Sequence, residues 1–138
     1  MISRILLLVL SVSFLFSSCK KDESPIVLEP GSNLKEISSL SSFESEIKTG
    51  VSMMYFHATW CSICNAQKPN IEATANDAEL KAFKFGIVDK DKHSDIATKF
   101  NISGQPVTVF FKDGIEKQRL SGGGHSPQKL KDILKSIN

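Results

Sequence analysis

The run from Val51 to Ala58 (VSMMYFHA) is almost wholly apolar, and it leads directly into Trp60-Cys61-Ser62-Ile63-Cys64. A strand with one wet face alternates apolar and polar residues; a nearly continuous apolar run marks a strand covered on both faces. The chain therefore needs a central sheet with helices on either side. Two further runs fit the same sheet: Ala82 to Val88 (AFKFGIV) and Val107 to Phe111. Between them, Ser62 to Leu80 has a helical composition interrupted by Pro69, and Asp91 to Phe100 reads as a short helix with Ile96 and Phe100 on one face.

The remaining elements follow from local signals. Leu34 to Leu40 is a weak strand-like run. Ser41 or Ser42 can cap a short helix carrying Phe43 and Ile47, which Thr49-Gly50 ends. Asp113-Gly114 is a hairpin signal leading into Ile115 to Leu120. Ser126-Pro127 opens a last helix with an N-cap and a first-position proline, and Leu130, Ile133, Leu134 and Ile137 form its apolar stripe. The order is β-α-β-α-β-α-β-β-α, an α/β fold with a central mixed β-sheet flanked by helices.

The N-terminal segment has a different character. Arg4 precedes an apolar stretch of roughly twelve residues, short of the ~20 needed to span a membrane. A basic start, a short apolar core and small residues make a secretory signal over residues 1–18. Phe16-Ser17-Ser18-Cys19 resembles the lipobox of bacterial lipoproteins, whose cysteine is lipidated and becomes the mature N-terminus; Leu is the usual residue where Phe16 stands. Residues 19–32 then read as a lipid anchor at Cys19 and a flexible tether (KKDESPIVLEPGS), and residues 33–138 as the folded domain. Lys20 is not the Asp that retains many such lipoproteins at the inner membrane, so the resemblance implies a periplasm-facing anchor, with the outer membrane favoured.

Composition excludes other classes. A net charge of +2 over 138 residues is small and dispersed, which gives no basic footprint for nucleic acid. The Lys residues near 129–135 read as solvated surface. Of the 3 cysteines, Cys19 is absorbed by lipidation, leaving one pair two residues apart. So short a loop removes little chain entropy, so the pair is there for chemistry and not as a staple.

That chemistry depends on position. A thiol at a helix N-terminus meets the positive end of the helix dipole and unpaired N–H groups, which stabilise the thiolate. The thiolate is the species that attacks a disulfide. On this reading Cys61 is the nucleophile, and Cys64, one turn into the helix, is the resolving thiol. Structural zinc lacks a second ligand pair, since His57, His93 and His125 have no finger-like spacing. Copper handling by Cys61 and Cys64, with His57 or Met53-Met54, suits soft-ligand chemistry. Against it, adjacent methionines on a strand point to opposite faces, as core filler would. A redox-inert peptide-binding domain is a third reading. The leading one requires no cofactor and no metal.

The sequence from Asn33 to Asn138 resembles the thioredoxin family. Besides WCxxC it has Pro69 five residues after Cys64, then Gly104-Gln105-Pro106 leading into the strand VTVFF and the Lys112-Asp113-Gly114 turn. The resemblance implies a thioredoxin fold with Pro106 cis and beside the cysteine pair. It also implies that the Gln105 backbone binds an extended substrate peptide by strand addition, and that Trp60 shapes the docking surface. The partners implied are protein thiols and disulfides, with a monomer expected.

Two departures bear on function. Tyr55 stands where most thioredoxins place a buried carboxylate that moves protons, and a phenol of pKa about 10 cannot replace it. His57 replaces a nearby aromatic on the same strand face; packing or surface is the simpler account of it, and proton relay the alternative. Ser62-Ile63 between the cysteines lacks the His found in strong oxidants and isomerases, which tilts the expectation to a reductase. A reductase in an oxidising compartment needs a redox partner in the membrane.

Overall fold

The computed structural model describes residues 31–138. The signal-like segment, the Cys19 lipobox and most of the tether fall outside the described residues. The elements are β1 (Leu34–Glu36), α1 (Leu40–Ile47), β2 (Val51–His57), α2 (Ser62–Ala75), a 3-10 turn (Ala78–Leu80), β3 (Lys84–Asp89), α3 (Ser94–Lys99), β4 (Val107–Lys112), β5 (Ile115–Ser121) and α4 (Pro127–Ser136). They form one sheet of order β1-β3-β2-β4-β5. β1, β3 and β2 are parallel; β4 runs antiparallel to β2, and β5 antiparallel to β4. The expected mixed sheet and element order are those observed.

β2 is the central strand, and every one of its residues is buried. Its alternation divides the apolar content between two cores. Met53 and Tyr55 pack with Ile71 and Ala75 of α2 and Leu130 and Leu134 of α4. Met54 and Phe56 point the other way, to Phe43 and Ile47 of α1 and Ile96 of α3. The Phe43 ring anchors that second core, 4.5 Å from Phe100, 5.7 Å from Phe56 and 5.9 Å from Phe111, centroid to centroid. Met53 and Met54 thus sit in separate cores, as core filler does.

Gly86 in β3 is fixed by this packing. A Cβ there would lie 2.4 Å from Met54 Sδ and 2.9 Å from Ile37 Cγ1, so only glycine lets the second core close over the sheet. The Asp113-Gly114 turn has φ of 49° and 80°, the paired left-handed geometry of a tight hairpin. The Asp113 carboxylate also accepts the Gly50 N–H at 2.7 Å.

Several boundaries differ from the sequence expectation. β1 stops at Glu36, because Ser39 caps α1 in place of Ser41 or Ser42: its hydroxyl accepts the Ser42 N–H at 3.1 Å. Pro69 does not interrupt α2, which runs unbroken to Ala75. Proline deprives a helix interior of one backbone bond, and here buried Cys64 and Gln67 before it and Ile71 and Thr74 after it hold the helix to the sheet. Asp77 then caps a separate 3-10 turn ending at Leu80. α3 begins at Ser94, later than expected, since Asp89 Oδ1 accepts the N–H groups of Asp91 and Lys92 in a turn. Lys131 is not simply solvated: its ammonium lies 2.8 Å from both Asp77 Oδ2 and Glu79 Oε1, tying α4 to that 3-10 turn.

The chain enters the domain at the C-terminal end of α2. The Asn33 amide donates to the Ala75 carbonyl at 3.1 Å, and the Asn33 backbone N–H donates to Asn76 Oδ1 at 3.1 Å.

Candidate active site

β2 ends at His57, and a tight turn carries the chain into α2; the Cys61 N–H donates to the Ala58 carbonyl at 3.1 Å. Cys61 is the N-cap of α2, with extended backbone, and its sulfur accepts the Cys64 N–H at 3.2 Å. A cap normally uses an oxygen from Ser, Thr, Asp or Asn; here the acceptor is the sulfur itself, set at the positive end of a helix whose first N–H groups have no intrahelical partner. Cys61 and Cys64 are joined as a disulfide, with Cα atoms 5.2 Å apart. Cys61 is 7% exposed and Cys64 1%, and the pair packs against Ala58.

Around the pair the surface is apolar and open. Trp60 is 71% exposed, which rules out a core role for it, and Ile63 is also exposed. The indole N–H of Trp60 donates to Asp91 Oδ2 at 2.7 Å, and Lys90 Nζ lies 2.9 Å from Asp91 Oδ1. The Lys90 ammonium first, and the Trp60 indole second, hold the Asp91 carboxyl below the usual carboxylate range. Asp91 therefore remains a charged clamp that fixes the indole beside the cysteines. It was not singled out in the sequence, where it reads only as the first residue of the short helix expected over Asp91 to Phe100.

Pro106 reaches the same end of the sheet through strand register. Phe56 of β2 pairs with Val107 of β4, so Pro106 stands level with the exit of β2 towards the cysteines. The Gln105–Pro106 peptide is cis, as the resemblance implied. Pro106 is buried and Gln105 half-buried. The Pro106 carbonyl accepts the Gly122 N–H at 2.9 Å.

Beneath the pair, Tyr55 is fully buried and its hydroxyl donates to the Cys64 carbonyl at 2.9 Å. Burial pushes its phenol far above the ordinary range, so it stays neutral and acts as a fixed donor. The His57 ring stacks over it, 6.0 Å between centroids and nearly parallel. His57 is 3% exposed, which removes the surface reading and leaves packing as its observed place. Burial lowers its pKa; Asp89, the backbone at Ala58 and Glu36 oppose that shift, and Lys68 adds to it. The native state therefore favours the neutral imidazole, whereas the unfolded chain takes up a proton near pH 6.5. Stability is complete above about pH 6.5 and falls as pH drops towards the lowered native value, where the loss levels off. Urea midpoints recorded between about pH 7.5 and about 5 should fall further for the parent than for His57→Phe; superimposable curves would refute this.

Two residues that the sequence reading did not single out close the site. Gln67, on the inner face of α2 one turn beyond Cys64, is buried and hydrogen-bonded to the His125 backbone. Its signal was available: it occupies a stripe position, between Cys64 and Ile71, where an apolar residue is expected. Gly123 lies against Ile63. His125 enters through its backbone, and the His93 side chain makes no cap bond at the start of α3.

A Cys-x-x-Cys pair that caps a helix at the end of a central strand, joined as a disulfide, defines a thiol–disulfide oxidoreductase. Comparison with known proteins gives the same class. The Thioredoxin family model matches residues 35–136. Thioredoxin from Chlamydia caviae is 33% identical over 87 residues, covering 63% of this chain and 83% of its own. Thioredoxin from Staphylococcus saprophyticus is 34% identical over 82 residues, 59% of this chain and 78% of its own. The crystal structure of Malassezia sympodialis thioredoxin superposes with a TM-score of 0.68 at 30% identity, covering 80% of this chain and 96% of that one. The chain belongs to the thioredoxin family.

Proposed function

We propose that this thioredoxin-type oxidoreductase reduces disulfides of other proteins outside the cytoplasm, anchored to a membrane through lipid on Cys19. The observation that carries the catalytic part is Cys61 as the N-cap of α2, its sulfur already placed as acceptor for a helix N–H.

In the reduced enzyme Cys61 is the nucleophile. Its thiolate attacks one sulfur of a substrate disulfide, forming a mixed disulfide and expelling the other substrate sulfur as a thiolate. Cys64 loses its proton and attacks the Cys61 sulfur, which releases the second substrate thiolate and leaves the Cys61–Cys64 disulfide. Two electrons have passed to the substrate, whose thiolates take up protons. The substrate peptide lies extended between Trp60 and the Gln105–Pro106 segment, bonded to the Gln105 backbone. A membrane dithiol partner restores the reduced pair, since the surrounding compartment is oxidising.

The direction of electron flow is supported by Ser62-Ile63, which places no positive charge between the cysteines to favour the thiolate. Equilibrating the purified domain with glutathione redox buffers measures it. A potential near the about −270 mV of reducing thioredoxins is expected, and one near about −120 mV would make the protein an oxidant.

A further inference from the structure

Gln67 is 1% exposed on the face of α2 that covers the sheet. A buried amide is costly unless its donor and acceptor are both satisfied. Both partners belong to one residue: Gln67 Nε2 donates to the His125 carbonyl at 2.8 Å, and the His125 N–H donates to Gln67 Oε1 at 2.9 Å. The side chain thus pairs with the His125 backbone as a neighbouring strand would. Asn70 Nδ2 adds a donor to the same carbonyl at 3.1 Å.

His125 closes the segment Gly122-Gly123-Gly124, which links β5 to α4. Gly122 and Gly124 have φ of 81° and 80°, open to glycine at little cost, and such a segment has great conformational freedom when unrestrained. It touches both halves of the site. On one side the Gly122 N–H donates to the Pro106 carbonyl at 2.9 Å. On the other, a Cβ on Gly123 would lie 2.9 Å from Ile63 Cγ2 and 3.5 Å from the Ile63 carbonyl oxygen. The glycine segment is therefore a bridge between the Pro106 strand and the helix that bears the cysteines.

We propose that Gln67 is a positioning residue that sets the width of the substrate groove by clasping this bridge to α2. The proposal rests on the docking of extended peptides between Trp60 and Pro106 described above. With the clasp in place, the wall against Ile63 is ordered before substrate arrives; without it, each protein substrate must order three glycines on binding. A small disulfide that reaches Cys61 without filling the groove does not carry that cost.

The test compares Gln67→Met, which keeps length and burial but removes both polar ends, with the parent. The measured quantity is kcat/KM for insulin disulfides divided by the rate constant for glutathione disulfide. This ratio should fall about tenfold, the loss appearing in KM more than in kcat, and the His125 amide should exchange faster with deuterium. Asn70→Ala, which removes one of the three bonds, should move both readouts the same way by a smaller factor. A merely structural role would lower both rates together, and that outcome, or an unchanged ratio, overturns the proposal. A parent that turns over insulin while the ratio stays fixed removes the clasp alone; a parent inactive on insulin removes the docking reading and the clasp with it.

Discussion

Cys61→Ala is expected to bring the reduction of insulin disulfides down to the uncatalysed background, whereas Cys64→Ala should accumulate covalent adducts with substrate proteins. The asymmetry follows from where the sulfurs sit. Cys61 is the more exposed of the two and occupies the cap position, so it is the sulfur that a substrate can approach, and the one whose anion the helix N-terminus stabilises. Cys64 lies a turn inside, almost fully buried and bonded to its partner. With Cys64 removed, the first exchange proceeds and the second has no thiolate to perform it. Mass spectrometry under non-reducing conditions should find up to one substrate-derived thiol per chain, attached at Cys61. Parent-level activity in both variants would end the enzymatic reading.

Cys19→Ala is expected to abolish incorporation of labelled palmitate, an all-or-none change, while the parent is labelled and carries a mature N-terminus at residue 19. The expectation rests on the lipobox-like run Phe16-Ser17-Ser18-Cys19. The apolar stretch before Cys19 is shorter than the ~20 residues that cross a bilayer. Among the described residues no helix is long and apolar enough to do so. Stable attachment by acyl groups requires two signals, each buried methylene contributing about 0.8 kcal/mol. An unlabelled parent would dismiss the anchor and leave the chemistry of the folded domain untouched.

The fold was legible where burial dictates composition. β2 is apolar along its length because helices cover both of its faces, and Met53 and Met54 fall into separate cores because successive strand residues must point apart. The cysteine pair was legible because the spacing itself is the chemistry. What escaped were choices made by partners distant in sequence. Pro69 reads as a break until the contacts on either side of it are known. Lys131 reads as solvated until Asp77 and Glu79, distant in sequence, are brought against it by the packing of α2 and α4. Gln67 carries no motif, and its partner is the backbone of a residue 58 positions away. His57 could be assigned to a face of β2, but its depth depends on β3 and α2 closing over it.

The anchorage of Asn33 to Ala75 and Asn76 sets the pole of the domain from which a lipid tether, as proposed for Cys19, would leave. Cys61 begins α2 and Asn33 is fastened at its other end, a helix of 14 residues away, or about 20 Å at 1.5 Å per residue. A leash attached at Asn33 therefore leaves from the pole opposite the sulfurs. With the leash taut, the reactive end would lie at the side of the domain far from the lipid. A donor embedded in the same bilayer would then have to extend a domain of its own to meet it, or wait for the leash to let the molecule tumble.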